Sequence, residues 1–346
     1  MRPFCFIAET GTNFGDDLNR WLWPRLLPEA MSGPDDGVLF LGIGTVIGPG
    51  LPDATHYVVF SSGAGYGPPP KSFGGPSWTL VCVRGPLTAR VLGLAPELAS
   101  SDGALLLSTL PEYSPLPESE RAGVVFMPHH ENLDIGDWPE ICRRAGVEFL
   151  SPLLPSEEVL ARIRRARLVL ADAMHAAIVA DTLRVPWVPV AVSNRINTFK
   201  WLDWTMGLDL PYRPVLIPAP TRVEALRDRM RGLYGQRHLL DEQSEQAAIR
   251  DFKRNKALKE HPLWASYARF VRKFAYFAPG KVLRMPAFAA SVAADTARRT
   301  EFCAAALRNA AGSTAHLSDD AKFSAKVSQL VEKLEDVRRL RFPPLG

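Results

Sequence analysis

Cysteine is scarce in this 346-residue chain: Cys5, Cys82, Cys142 and Cys303 are far apart, and three of them stand in apolar surroundings. That spacing forms neither a zinc-binding pattern nor a disulfide framework, and it fits a reducing cytoplasm. Long apolar runs are missing too, since none reaches the roughly 18–20 residues that a membrane-spanning helix needs. The opening MRPFCFIAET lacks the form of a signal peptide. Charge of one sign is also lacking. The 41 Lys and Arg against 37 Asp and Glu leave +4, too little to indicate nucleic acid but compatible with anionic small molecules or an anionic membrane surface. What remains is 47% hydrophobic residues on a chain long enough for two domains, which places it among globular proteins with sizeable cores.

Apolar runs of strand length alternate with helical stretches, the pattern of parallel α/β units. Residues 4–8 read as a first strand that empties into a turn-rich loop through Asn13, Asp16 and Asp17. The two aspartates read equally as helix caps and as groups facing a ligand. Strands are expected over 38–43 and 57–61, each running into glycine-rich turns where backbone can approach a ligand or another domain. GIGTVIG, at 42–48, puts three residues between its second and third glycines where the dinucleotide fingerprint has two, so a nicotinamide site is rejected. The strand over 78–83 ends at Arg84-Gly85-Pro86. An arginine between a strand and a helix start can pair with phosphate or carboxylate, or can simply lie at the surface. A short element over 101–107 follows, and the proline-rich stretch 111–121 reads as a linker. A strand over 123–127 then delivers His129 and His130. On an extended backbone their rings point to opposite sides, which makes a poor metal pair but can put one imidazole in a cleft. A helix over 138–145, a strand over 147–150 and a helix to residue 165, with Ser156 in the cap position, come next.

The rest is organised around ARLVLADAMHAAIVADTLRVPWVPV, residues 166–190. It reads as strand, turn, helix, strand, and Asp172 and His175 are the titratable groups at its turn. Open α/β sheets bind ligands at the carboxyl ends of their strands, so His175 is the expected centre of chemistry. In the next loop Arg195 and Lys200 are close enough to serve one anion, while Phe199, Trp201 and Trp204 either stack on a sugar ring or fill the core. Beyond residue 220 the pattern is helical, over 222–233, 242–258, 263–277, 287–309 and 321–339. The stretch 263–277 sets aromatic residues against Arg269, Arg272 and Lys273. That fits an interfacial membrane helix and fits equally a helix packed on the body. Together these signals predict two Rossmann-like domains facing across a cleft, 1–118 and 119–220, with a helical C-terminal region over 221–346. Its chemistry is binding of an anionic donor by Arg and Lys, with a histidine moving a proton.

NFGDDLN, RGPLTARVLG, SDGALLL, the PHH loop, and LADAMHAAIVADTLRVPW followed by FKWLDW occur in an order that resembles the polysaccharide pyruvyl transferase family. The likeness spans residues 4–204 and is strongest toward members that add pyruvate ketals to bacterial exopolysaccharide sugars. It implies a GT-B-like fold and transfer of the pyruvyl group of phosphoenolpyruvate to two sugar hydroxyls, usually on a lipid-linked oligosaccharide. It implies no cofactor besides that donor, no metal, and a cytoplasmic site, with possible peripheral contact at the inner membrane. His175 matches the family's histidine, the general acid that protonates the donor's methylene carbon. Arg84 matches an anchor for phosphate or carboxylate. Arg195, Lys200, His129 and Asn13 complete the donor side, and Asp16, Asp17 and Trp201 the acceptor side. Many relatives read Arg-Leu-His where this chain has Ala173-Met174-His175, so one donor-binding arginine is missing and Arg195 or Lys200 must replace it. Two other readings compete: a GT-B nucleotide-sugar glycosyltransferase, which would bind a nucleotide diphosphate and ignore phosphoenolpyruvate, and a non-catalytic carbohydrate or membrane-docking component.

Overall fold

In the computed structural model, residues 1–6, 13–32, 36–48, 50–283 and 285–342 are described; residues 7–12, which hold the end of the expected first strand and the start of its loop, lie outside them. Among the described residues, β1 (Arg2–Pro3), β2 (Val38–Leu41), β3 (His56–Ser62) and β4 (Trp78–Val83) form a parallel sheet in that order. β2 and most of β3 are buried at consecutive positions, as strands covered on both faces must be. Of the expected strand over 4–8, residues 7 and 8 lie outside the described residues, and over 4–6 the expectation is corrected. Pairing falls on Arg2–Pro3, the Phe4 amide donates to the Phe40 carbonyl at 2.8 Å, and by Phe6 the chain is 49% exposed. Helices α1 (Phe14–Leu26), α2 (Pro28–Met31) and α3 (Pro86–Leu92) belong to this half. Asn13 caps α1, its side-chain oxygen accepting from the amides of Gly15 and Asp16 at 3.1 and 3.2 Å, so the cap is neither Asp16 nor Asp17.

The second half runs β5 (Ala122–Met127), α4 (Trp138–Ala145), β6 (Glu148–Phe149), α5 (Ser156–Arg165), β7 (Ala166–Ala171), α6 (Met174–Thr182), β8 (Trp187–Ala191), α7 (Thr198–Thr205) and β9 (Val215–Leu216). Its strands are parallel in the order β6-β5-β7-β8-β9. Counted from β5 this is 2-1-3-4-5, a doubly wound sheet whose order reverses between β5 and β7, and ligands bind at such a reversal. Over residues 176–180 α6 is apolar on every side and therefore has to be buried on every side. Residues 176–180 are fully enclosed between the second sheet and the short helical turns Gly103–Thr109 of the first half.

The remaining helices are α8 (Arg222–Met230), α9 (Glu245–Glu260), α10 (Trp264–Arg272), α11 (Ala278–Leu283), α12 (Ala289–Ala311) and α13 (Asp320–Arg339). They do not stand apart from the α/β halves. α12 lays Cys303, Ala304, Leu307 and Ala310 on the second sheet. α13 sends Phe323, Leu330, Leu334 and Val337 into the core shared with the first. Among the described residues no helix is long and apolar enough to cross a membrane.

Candidate active site

A cavity of about 980 Å³ opens where the carboxyl ends of the two sheets meet. Thr45 and Tyr66 reach it from the loops after β2 and β3, His129 and His130 from the loop after β5, residues 172–175 from the turn after β7, and Arg195, Asn197 and Lys200 from beyond β8. The β5 and β7 loops are those at the strand-order reversal. The starts of α1 and α6 also face one another here: a Cβ on Gly15 would lie 2.0 Å from His175 Nδ1, and the Phe14 ring stands edge-on to the imidazole at 6.5 Å. A helix start carries positive potential, so the start of α6 favours an anion; at α1 the first amides are already taken by Asn13 and the Pro152 carbonyl.

His175 sits in the first turn of α6. Among the described residues its Nε2 is buried without a hydrogen-bond partner. Burial first, then the charges of Lys200 and Arg84 and the nearby His130, push its pKa down to about 3. His129 and His130 are held low as well, mainly by burial, with Lys200 and Arg195 adding to it. The expectation that these two rings point to opposite sides is corrected. The chain stops being extended at His129, which caps a helical turn over His130–Ile135, so the rings lie 4.3 Å apart at one wall of the cavity. Asp172 holds the loops of three strands together. Its carboxylate accepts from the His129 amide at 2.7 Å, the Asn132 side chain at 2.9 Å and the Val192 amide at 3.1 Å. Burial nevertheless raises its pKa to about 6.

Lys200 Nζ donates to the Tyr66 hydroxyl at 2.8 Å and lies 4.7 Å from the centre of that ring. Arg195 donates to the Glu131 carbonyl. Among the described residues neither cation has a carboxylate partner, so both can receive an anion. Asp16 lines the same cavity; burial lifts its carboxyl to about 6, against the pull of the Asn13 hydrogen bond and Lys200.

Three expected ligand groups are engaged by the protein itself. Arg84 is fully buried behind Thr45, donating to Asp203 at 3.0 Å and to the Thr45 hydroxyl at 2.8 Å. Asp17 turns to α5, where it accepts from Ser156 at 2.9 Å; that serine also accepts from Trp21 and is not the cap, a place taken by Pro155. Trp201 touches the cavity but is 2% exposed, with its face stacked on Tyr212 at 5.0 Å, so the core has claimed its ring. Several wall residues escape sequence reasoning. Tyr66, His238, Lys259, Trp264 and Tyr276 lie in stretches without a motif, and the helical region that carries four of them gave only an amphipathic signal.

Comparison with known proteins identifies the family. The sequence model of the family described as polysaccharide pyruvyl transferase matches residues 75–194. The succinoglycan biosynthesis protein ExoV of Rhizobium meliloti is 42% identical over 227 residues, 65% of this chain and 71% of that protein. The chain belongs to the polysaccharide pyruvyl transferase family. The resemblance drawn from its motifs is thereby borne out. Within this polysaccharide pyruvyl transferase the matched segment holds Arg84, His129, His130, Asp172 and His175, whereas Asn13, Asp16, Arg195 and Lys200 lie outside it. No solved structure matches the chain.

Proposed function

We propose that this polysaccharide pyruvyl transferase takes its pyruvyl group from phosphoenolpyruvate and closes a ketal on two hydroxyls of one sugar in an exopolysaccharide repeat unit, presented as a lipid-linked oligosaccharide. One observation carries the reading: two cations that among the described residues have no carboxylate partner, and the start of α6, converge on a buried imidazole nitrogen that has no hydrogen-bond partner there. Phosphoenolpyruvate brings a phosphate and a carboxylate for the cations and the start of α6, and a methylene carbon for the imidazole. The likeness to the Rhizobium relative, a succinoglycan biosynthesis protein, supports the acceptor class. The two parallel sheets with a cavity at their carboxyl ends fit the GT-B-like arrangement, with units over 1–118 and 119–220 completed by the helices of 221–346.

Alone, the site holds His175 neutral at pH 7. The donor's negative charges reverse the local sign and raise its pKa, so donor binding brings a proton in. Imidazolium gives that proton to the methylene carbon, which becomes a methyl group, and positive charge develops at the adjacent carbon and its oxygen. A sugar hydroxyl adds there, with Asp16 accepting its proton. The second hydroxyl attacks the same carbon, the bond to phosphate breaks, and the ketal ring closes. Of the two hydroxyl protons, one replaces the proton given by His175 and the other leaves with inorganic phosphate.

A donor screen read by inorganic phosphate tests this reading. With depyruvylated exopolysaccharide oligosaccharides as acceptor, phosphate should appear from phosphoenolpyruvate only when acceptor is present, and nucleotide sugars should not be consumed. Consumption of a nucleotide sugar with phosphoenolpyruvate left intact would overturn it.

A further inference from the structure

Residues 261–294 contain no Asp or Glu, while Arg269, Arg272, Lys273, Lys281 and Arg284 give the stretch five positive charges. Leu263, Tyr267, Phe270, Phe274 and Phe277 recur at alternating spacings of four and three, the spacing of one helix face. In the fold that face points outward: Leu263 is 70% exposed, Phe270 64%, Phe274 56% and Phe277 51%. Val282 and Met285 extend the apolar surface at 49% and 53%. The opposite side of the same segment is anchored. Trp264, Arg272 and Tyr276 line the cavity, Ala275 is buried, and Arg227 donates to the Tyr276 carbonyl at 2.9 Å with its guanidinium 4.0 Å from that ring. The exposed aromatics therefore stand on a fixed support beside the cavity mouth.

We propose that this outer face docks on an anionic lipid bilayer and sets the mouth of the cavity at the headgroups. A contiguous apolar patch of this kind needs a cover. Aromatic residues beside lysines and arginines, with no acid among them, complement a negatively charged lipid surface. A second copy of this chain fits less well, because a two-fold contact presses the same cations against each other. The proposal goes beyond the donor chemistry and does not require it; a lipid-linked acceptor is what such docking would bring to the site.

Flotation of the full chain with vesicles tests it. The wild type should rise with phosphatidylethanolamine–phosphatidylglycerol vesicles, less at high salt, and weakly with phosphatidylcholine alone. Either Phe270→Ser with Phe274→Ser or Arg269→Gln with Lys273→Gln should lower partitioning about tenfold or more, with unchanged melting temperatures. The proposal is overturned if the wild type stays below the phosphatidylglycerol vesicles, or if both double variants float as well as it does. It is equally overturned if the wild type is a dimer that these substitutions split, which would make the face a self-interface. Because binding is read without donor or acceptor, failure here leaves the donor screen standing, and the reverse also holds.

Discussion

At His175, burial and the charges of Lys200 and Arg84 act in one direction and hold the imidazole at about 3, well below its ordinary value of 6.5. A donor that raises this pKa must take up a proton as it binds, so its affinity should weaken as pH rises. Titration calorimetry of phosphoenolpyruvate in buffers of different ionisation enthalpy should show that uptake, and His175→Gln should abolish it while binding persists; uptake that survives the substitution would place the proton elsewhere. Asp102 gives a prediction of the opposite kind. Burial raises its carboxyl from 3.8 to about 6, and among the described residues its second oxygen has no partner. A folded pKa above the unfolded one means that the group's contribution is fully present below pH 3.8 and is lost as pH rises through about 6. Asp102→Asn should therefore raise the melting temperature at pH 8, by the equivalent of about 3 kcal/mol, and change it little at pH 4. Melting curves across that range decide it. The sequence marks Asp102 only as part of SDGALLL, and its cost comes from residues that fold around it.

The element that sets the cationic wall is α7, and its position depends on a buried pair. Asp203 receives Arg84 Nε at 3.0 Å, the Thr88 amide at 2.7 Å and the Thr88 hydroxyl at 2.6 Å, tying α7 to the start of α3 one turn after Lys200. Asp203→Ala leaves the Arg84 charge buried and unpaired, which should cost about 3–5 kcal/mol in urea unfolding. A loss near zero would mean that the pair does not fasten the helix. The close approach of α1 and α6 can be tested at Gly15, where an added Cβ would meet the His175 ring. Gly15→Ala should lower phosphate release by about a hundredfold with cooperative unfolding retained, because a displacement near 1 Å at a reacting group costs about that much. Elements of this kind were partly legible in the sequence. β7 and α6 show as an apolar strand and a helix with an apolar middle, and Arg84 shows as a cation at a strand's end. That Asp203, 119 residues later, takes up Arg84 depends on the meeting of two halves, which no local pattern carries. The turn at His129 escaped for the opposite reason, a local one: a helical turn begins one residue before the extended reading allowed.

Across the whole molecule, the alternation of apolar runs and helices was enough to foresee two parallel sheets, because strands covered on both faces must be apolar throughout. The reversal of strand order between β5 and β7 was not legible, since β6 contributes only two residues to the sheet. Nor was the use of the C-terminal region, which closes the cavity through His238 on a loop and Lys259 and Tyr276 on helical turns while α12 and α13 seal the two cores. Three parts of the chain therefore meet at one imidazole. Single-turnover release of inorganic phosphate from phosphoenolpyruvate by wild type and His175→Gln, with saccharide acceptor present and donor binding measured alongside, tests that convergence most directly. The account predicts acceptor-dependent release by the wild type and loss of at least about a hundredfold in the variant, which still binds donor. Release at the wild-type rate by the His175→Gln protein would contradict it.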